Sequence, residues 1–150
     1  MLVHKVVLAA RSSVFAAMFE HEMKENQQNR VTIEDIDYDV LREMLAYIYT
    51  GKSRNMEKMA SDLLVAADKY NVTGLKEKCE VALCSALTTE NAVDLLALAD
   101  TYSAKYLKKR AIRFISTRVK DVMLTPGWKK VSSNQPSLFI ELFEAAFSKS

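Results

Sequence analysis

Apolar residues recur at helical spacing along most of the chain. From Tyr38 to Thr50, the positions Val40, Leu41, Met44, Leu45 and Ile48 form one stripe, which predicts an amphipathic helix. Asp37 stands where an N-cap carboxylate belongs, and Gly51 fits the left-handed position just past the end. Asn55 is placed to cap the next helix, with Met56, Met59, Leu63, Leu64 and Ala67 on one face. Thr73 starts another, holding Leu75, Cys79, Ala82, Leu83 and Ala86, and Thr88 or Thr89 opens the one after it. Upstream, HKVVLAARSSVFAAMF divides into two short helical pieces, with Ser12 or Ser13 available as the N-cap between them. Only RVTIEDI breaks the pattern: Val31, Ile33 and Ile36 read as one short strand. A lone strand is unstable, and Leu2-Val3 is its one nearby candidate partner. The expected fold class is mostly α with a small β-sheet, an α+β arrangement.

An internal repeat follows. LLVAADKYNVTGLK from Leu63 is echoed by LLALADTYSAKYLK from Leu95, an offset of 32 residues. Each copy reads as a helix, a short polar turn and a second helix docked by its leading leucine, so stacking the hairpins buries one seam. Beyond it, Pro126 suits a first helical turn and Trp128 an anchor. The last helix carries Leu138, Phe139, Leu142, Phe143, Ala146 and Phe147, a broad aromatic face that needs a cover from this chain or from a second copy.

Composition narrows the chemistry. With 49% hydrophobic and 27% charged residues, this is an ordinary globular sequence, and a net charge of +2 argues for no class of partner. Cys79 and Cys84 lie five apart on one expected helix, about 7.5 Å in axial rise, too far for an undistorted disulfide. Reduced thiols and the lack of a signal-peptide pattern point to an intracellular, soluble protein of the nucleus and/or cytoplasm. No stretch is long and apolar enough for a bilayer. No Gly-rich phosphate loop, nucleophile elbow or Cys-His spacing marks an enzyme. His4, His21, Cys79 and Cys84 fit no zinc spacing. Neither catalysis, a cofactor, a metal nor a small-molecule substrate is expected. Between Thr101 and Lys120 run seven cations (Lys105, Lys108, Lys109, Arg110, Arg113, Arg118 and Lys120) and no acidic residue. Phosphates are a conceivable partner, but a solvated face opposite Leu107, Ala111, Ile112, Phe114 and Ile115 is the simpler reading, so nucleic acid is not expected.

One residue is left over. In FEHEMKENQQNR, Met23 sits among Glu22, Lys24, Glu25 and amides with nothing obvious to pack against. Either it curls onto its own helix or it is there for another molecule.

These residues together resemble the BTB/POZ family, and within it the speckle-type POZ (MATH-BTB) group. The matching stretches are HKVVLAARSSVFAAMFEHEMKEN, RVTIEDI, EMLAYIYTGK, MASDLLVAADKYNVTGLKEKCEVAL and TTENAVDLLALADTYSA, continuing through GWKK to the last helix. The resemblance implies a BTB/POZ fold over residues 1–87 and a helical 3-box and partial BACK region over residues 88–150. It implies an adaptor that carries substrates to a cullin-3 ubiquitin ligase. Met23-Lys24-Glu25 matches the family's apolar-x-Glu cullin contact, with Met23 as the knob and Glu25 fixing orientation, and Tyr70 joins that contact set. The hairpin from Thr89 to Ile115 would extend the cullin surface.

Self-association, with itself or with full-length BTB relatives, would use Phe139, Phe143 and Phe147; Phe143 stands where the group typically has a tyrosine. Of the BTB dimer interface, only Val7 can be placed. The family's first helix and opening strands would precede His4, where this chain nearly begins, and no MATH domain or basic carboxy-terminal tail accompanies it. A fragment or a truncated variant with exposed apolar surface is therefore expected. A self-assembly module without cullin recruitment is the alternative function, and a BTB corepressor-binding module ranks below it.

Overall fold

The computed structural model describes residues 5–25 and 33–148, except for the side chains of residues 5, 6 and 22–25. These residues form α1 (Lys5–Arg11), α2 (Ser13–Glu25), α3 (Tyr38–Thr50), α4 (Met56–Lys69), α5 (Thr73–Ser85), α6 (Ala92–Thr101), α7 (Lys105–Ser116), α8 (Val119–Met123), α9 (Pro126–Asn134) and α10 (Ser137–Phe147). The chain divides into two compact units between Cys79 and Glu80, within α5.

In the first unit, Ser12 separates α1 from α2. Its hydroxyl accepts the Phe15 N–H at 3.1 Å and donates to the Tyr70 carbonyl, so one buried side chain both caps α2 and ties it to the end of α4. Leu8, Phe15 and Phe19 turn inward. Helix α3 begins as its sequence dictates, with the Asp37 carboxylate accepting from Asp39 N at 2.9 Å. It ends at Gly51, whose φ of 73° lets its N–H reach the Tyr47 carbonyl at 2.7 Å. Val40, Met44, Leu45 and Ile48 bury the expected stripe, and Leu41 is half-buried.

Asn55 departs from its expected role. It precedes α4 but makes no side-chain cap. Instead its amide donates to Glu43 Oε1 at 2.8 Å, while Ser53 Oγ donates to Glu43 Oε2 at 2.7 Å. A buried carboxylate is costly without donors, and this one draws the 51–55 connection onto α3 to find them. The Ser53 hydrogen bond holds the Glu43 pKa below the ordinary range, against the opposing effect of burial. Its contribution to stability is therefore present above the unfolded glutamate pKa and is lost as pH falls through the lowered one.

The second unit packs α6, α7, α9 and α10 around Ala92, Val93, Leu96, Ala111, Ile115, Val131, Leu138 and Leu142. Its first helix starts later than expected. Thr88 and Asn91 close a turn instead, with Asn91 Oδ1 accepting Thr88 N at 2.7 Å and Thr88 Oγ1 accepting Asn91 N at 3.2 Å. Pro126 occupies the first turn of α9, and Trp128 meets Phe139 edge-on with centroids 4.5 Å apart.

The repeat is reproduced bond for bond. The turn after α4 carries Asn71 at φ 51°, and the turn after α6 carries Ser103 at φ 53°. Val72 N reaches Ala67 O at 2.8 Å, and Ala104 N reaches Ala99 O at 2.8 Å. Lys76 pairs with Asp68 at 2.8 Å and Lys108 with Asp100 at 2.9 Å. Both turns thus place an L-residue where glycine is preferred. Asn71 recovers part of the cost by donating to Ser13 Oγ at 2.8 Å. Ser103→Gly is therefore expected to raise stability by about 1 kcal/mol, read as an upward shift in the denaturant midpoint, and Asn71→Gly by less.

The small β-sheet is not seen. Among the described residues there is no strand. Of RVTIEDI, residues 30–32 lie outside the described part, as does Leu2-Val3. Ile33 to Ile36 run as irregular chain that bends at Asp35 and Ile36 into the cap of α3. Half-buried Ile33 and Ile36 are three apart, so they do not alternate as a strand face would.

Candidate functional site

The segment leading into α3 and one face of α4 enclose a groove of about 400 Å³. Its apolar lining comes from Ile36, Val40, Met59, Val65 and Ala66, and carboxylates come from Asp35, Asp37, Asp39 and Asp62. Positions 59, 62, 66 and 69 share a helix face, so the periodicity of α4 places Met59, Asp62, Ala66 and Lys69 side by side. Lys69 forms an ion pair with Asp35 at one end. Apolar patches bordered by charge are suited to gripping a protein anchor and excluding water around it.

Tyr70 pins this groove to α2. Its ring stacks on Phe15 with centroids 4.7 Å apart, and its hydroxyl donates to Asp35 Oδ1 at 3.0 Å. Burial pushes the phenol pKa up from its ordinary value. Its carbonyl meanwhile accepts from Ser12. Through this one residue, α2, the 33–37 segment and the end of α4 hold a single arrangement.

The residues singled out from the sequence fare differently. Helix α2 runs to Glu25, and the side chains of Met23, Lys24 and Glu25 lie outside the described residues. Tyr70 is only 4% exposed and reaches the groove through its hydrogen bond to Asp35. Val7 is half-buried on α1. Phe139 turns inward onto Trp128, because the Trp128 ring offers it a partner that water cannot match. The open stripe of α10 is instead Ile140, Phe143 and Phe147, at 61%, 59% and 74% exposure.

Sequence reasoning missed the groove itself. Asp37 caps α3 as its position predicts, but it and Asp35 also stand at the groove. Met59, on the apolar face of α4, is half-buried and lines the groove. The available signal was the same as for Met23: a methionine set among Glu57, Lys58 and Asp62.

The basic run is partly engaged. Lys108 bridges Asp100 and Glu141 at 2.9 and 3.0 Å, which raises its pKa, chiefly through the Asp100 hydrogen bond. Arg118 lies over the Phe114 ring, 4.0 Å from its centroid. Among the described residues, no three His, Cys, Asp or Glu gather as a metal-holding set, and no helix is long and apolar enough to cross a membrane.

Residues 1–87 match the BTB/POZ domain family. The chain belongs to it. Residues 91–143 match the BPM/SPOP BACK domain, so this is a BTB/POZ protein of the speckle-type group with BACK helices. In this BTB/POZ chain the geometric division between the units falls inside α5, eight residues before the first match ends (87 minus 79). Helix α5 therefore lies within the BTB/POZ match, while Glu80 in its second half accepts from the first turn of α7.

Proposed function

We propose that this BTB/POZ chain is a non-enzymatic adaptor that docks the amino-terminal helices of cullin-3 and serves substrate recruitment in a cullin-RING ubiquitin ligase. The observation that carries this reading is the apolar, acid-rimmed groove, locked through Tyr70 to the helix that ends in Met23-Lys24-Glu25. Met23 supplies an apolar knob for a dimple on the cullin, Glu25 fixes its orientation, and the groove receives an apolar anchor from the cullin in return. Tyr70 acts by positioning.

Titration of the chain with the cullin-3 amino-terminal domain tests this. Burying one methionine is worth about 1.5–3 kcal/mol, so Met23→Glu is expected to weaken binding roughly 10- to 150-fold. Equal affinity for the parent and variant would remove Met23 from the contact.

A second reading is favoured by the exposed Ile140, Phe143 and Phe147 stripe, which suits self-association with this chain or with full-length relatives. Phe143→Asp is expected to lower the sedimentation-derived mass at micromolar concentration; an unchanged mass disposes of that role.

A further inference from the structure

The outer face of α7 carries charge of one sign. Lys105, Lys109 and Arg113 fall at i, i+4 and i+8, a line about 12 Å long at helical rise, and all are exposed. No acidic residue occurs between Asp100 and Asp121. No carboxylate among the described residues pairs with these cations, whereas Lys108, on the other side of the helix, is held by Asp100 and Glu141. Tyr106 projects from the same exposed arc at 50% exposure. This face is an aromatic ring set among uncompensated cations.

The groove described above has the opposite character. Its lining mixes apolar Ile36, Val40, Met59, Val65 and Ala66 with carboxylates, and Asp37, Asp39 and Asp62 stand there without a cation among the described residues; only Asp35 has its lysine. We propose that the groove of one copy receives the α7 face of a second copy, with the Tyr106 ring against Met59 and Val65 and the α7 cations against the acidic rim. Both halves of the complementary pair are present in the same chain. Nucleic acid would satisfy α7 but would be repelled by the groove, and an acidic peptide would leave the groove without a partner.

The contact is heterologous, so it joins copies head to tail. Exposed ion pairs are individually weak and screened by salt, which makes the association transient and salt-sensitive. A further consequence rests on the cullin-3 reading: a groove filled by another copy is closed to the cullin, so self-docking and cullin binding compete.

Sedimentation of the full chain carrying Phe143→Asp, which removes the terminal stripe, tests the contact at 20 mM and 500 mM salt (roughly 20 and 4 Å of screening length). One variant adds Lys105→Glu, Lys109→Glu and Arg113→Glu; another adds Asp39→Lys and Asp62→Lys; circular dichroism confirms that both remain helical. The parent is expected to associate at low salt only, each reversed variant to associate at least tenfold more weakly, and an equimolar mixture of the two to associate again. Undiminished association of the α7 variant overturns the proposal. So does loss in that variant alone, which would mean a different acidic partner surface, or a mixture that fails to recover.

In a parallel cullin-3 titration at low salt the parent's apparent affinity is expected to fall as its own concentration is raised through the range in which it self-associates. If the parent does not bind cullin-3 at all, the adaptor reading fails while sedimentation still decides the self-contact.

Discussion

Phe15→Ala is expected to lower the unfolding free energy by about 3–5 kcal/mol, the usual cost of emptying a phenylalanine site in a core. Phe15 is 1% exposed and stacks between Phe19, with centroids 6.1 Å apart, and Tyr70, 4.7 Å away. Its removal loses the transfer energy of the ring, leaves a cavity, and withdraws two aromatic contacts each worth roughly 0.5–1.5 kcal/mol. The effect should reach function as well. Tyr70 holds Asp35 through its hydroxyl, so a loosened ring loosens the groove. Urea unfolding followed by circular dichroism measures the first effect, and cullin-3 titration well below the unfolding midpoint measures the second. Phe15→Leu should retain most of both. A loss below about 1 kcal/mol for Phe15→Ala would mean that α2 is not anchored through this stack.

Glu80→Ala should cost about 3 kcal/mol, because it strips two N–H groups of a charged acceptor in a largely buried setting. Glu80, 8% exposed on α5, accepts from Tyr106 N at 3.1 Å and Leu107 N at 3.2 Å. The first turn of α7 needs this help. Ala104 occupies its N-cap position and has no side chain that can accept. The positive end of the helix dipole further favours a carboxylate there. Glu80→Gln keeps an acceptor oxygen but loses the charge, and should cost about half as much. Hydrogen exchange supplies the specific readout: the Tyr106 and Leu107 amides should exchange faster in Glu80→Ala than other α7 amides do. If their protection is unchanged, Glu80 is not the cap of α7.

Much of the helical framework was legible because its signals are local. Asp37 and Gly51 bracket α3 with chemistry contained within four or five residues of each end. The 32-residue repeat predicted two like hairpins, and Asp68–Lys76 and Asp100–Lys108 close them in the same way. The residues that carry the BTB/POZ resemblance are likewise contiguous stretches of sequence. Where the expectation slipped, a distant partner had intervened. Asn55 looks like a cap, yet a buried Glu43 twelve positions earlier claims its amide. Phe139 and Ile140 are adjacent apolar residues on one short helix, and only the position of Trp128 decides which faces inward.

By itself, then, the sequence determined both ends of α3, the doubled hairpin and the family, since those depend on spacing and on side chains bonding to their own backbone neighbourhood. Tertiary structure alone decided that Tyr70 is buried as a pin, that Glu80 caps a helix 25 residues downstream (105 minus 80), and that scattered aspartates ring an apolar groove. The physical reason is desolvation. A polar group excluded from water must find a partner wherever the packed chain places one, and no local pattern records that distance.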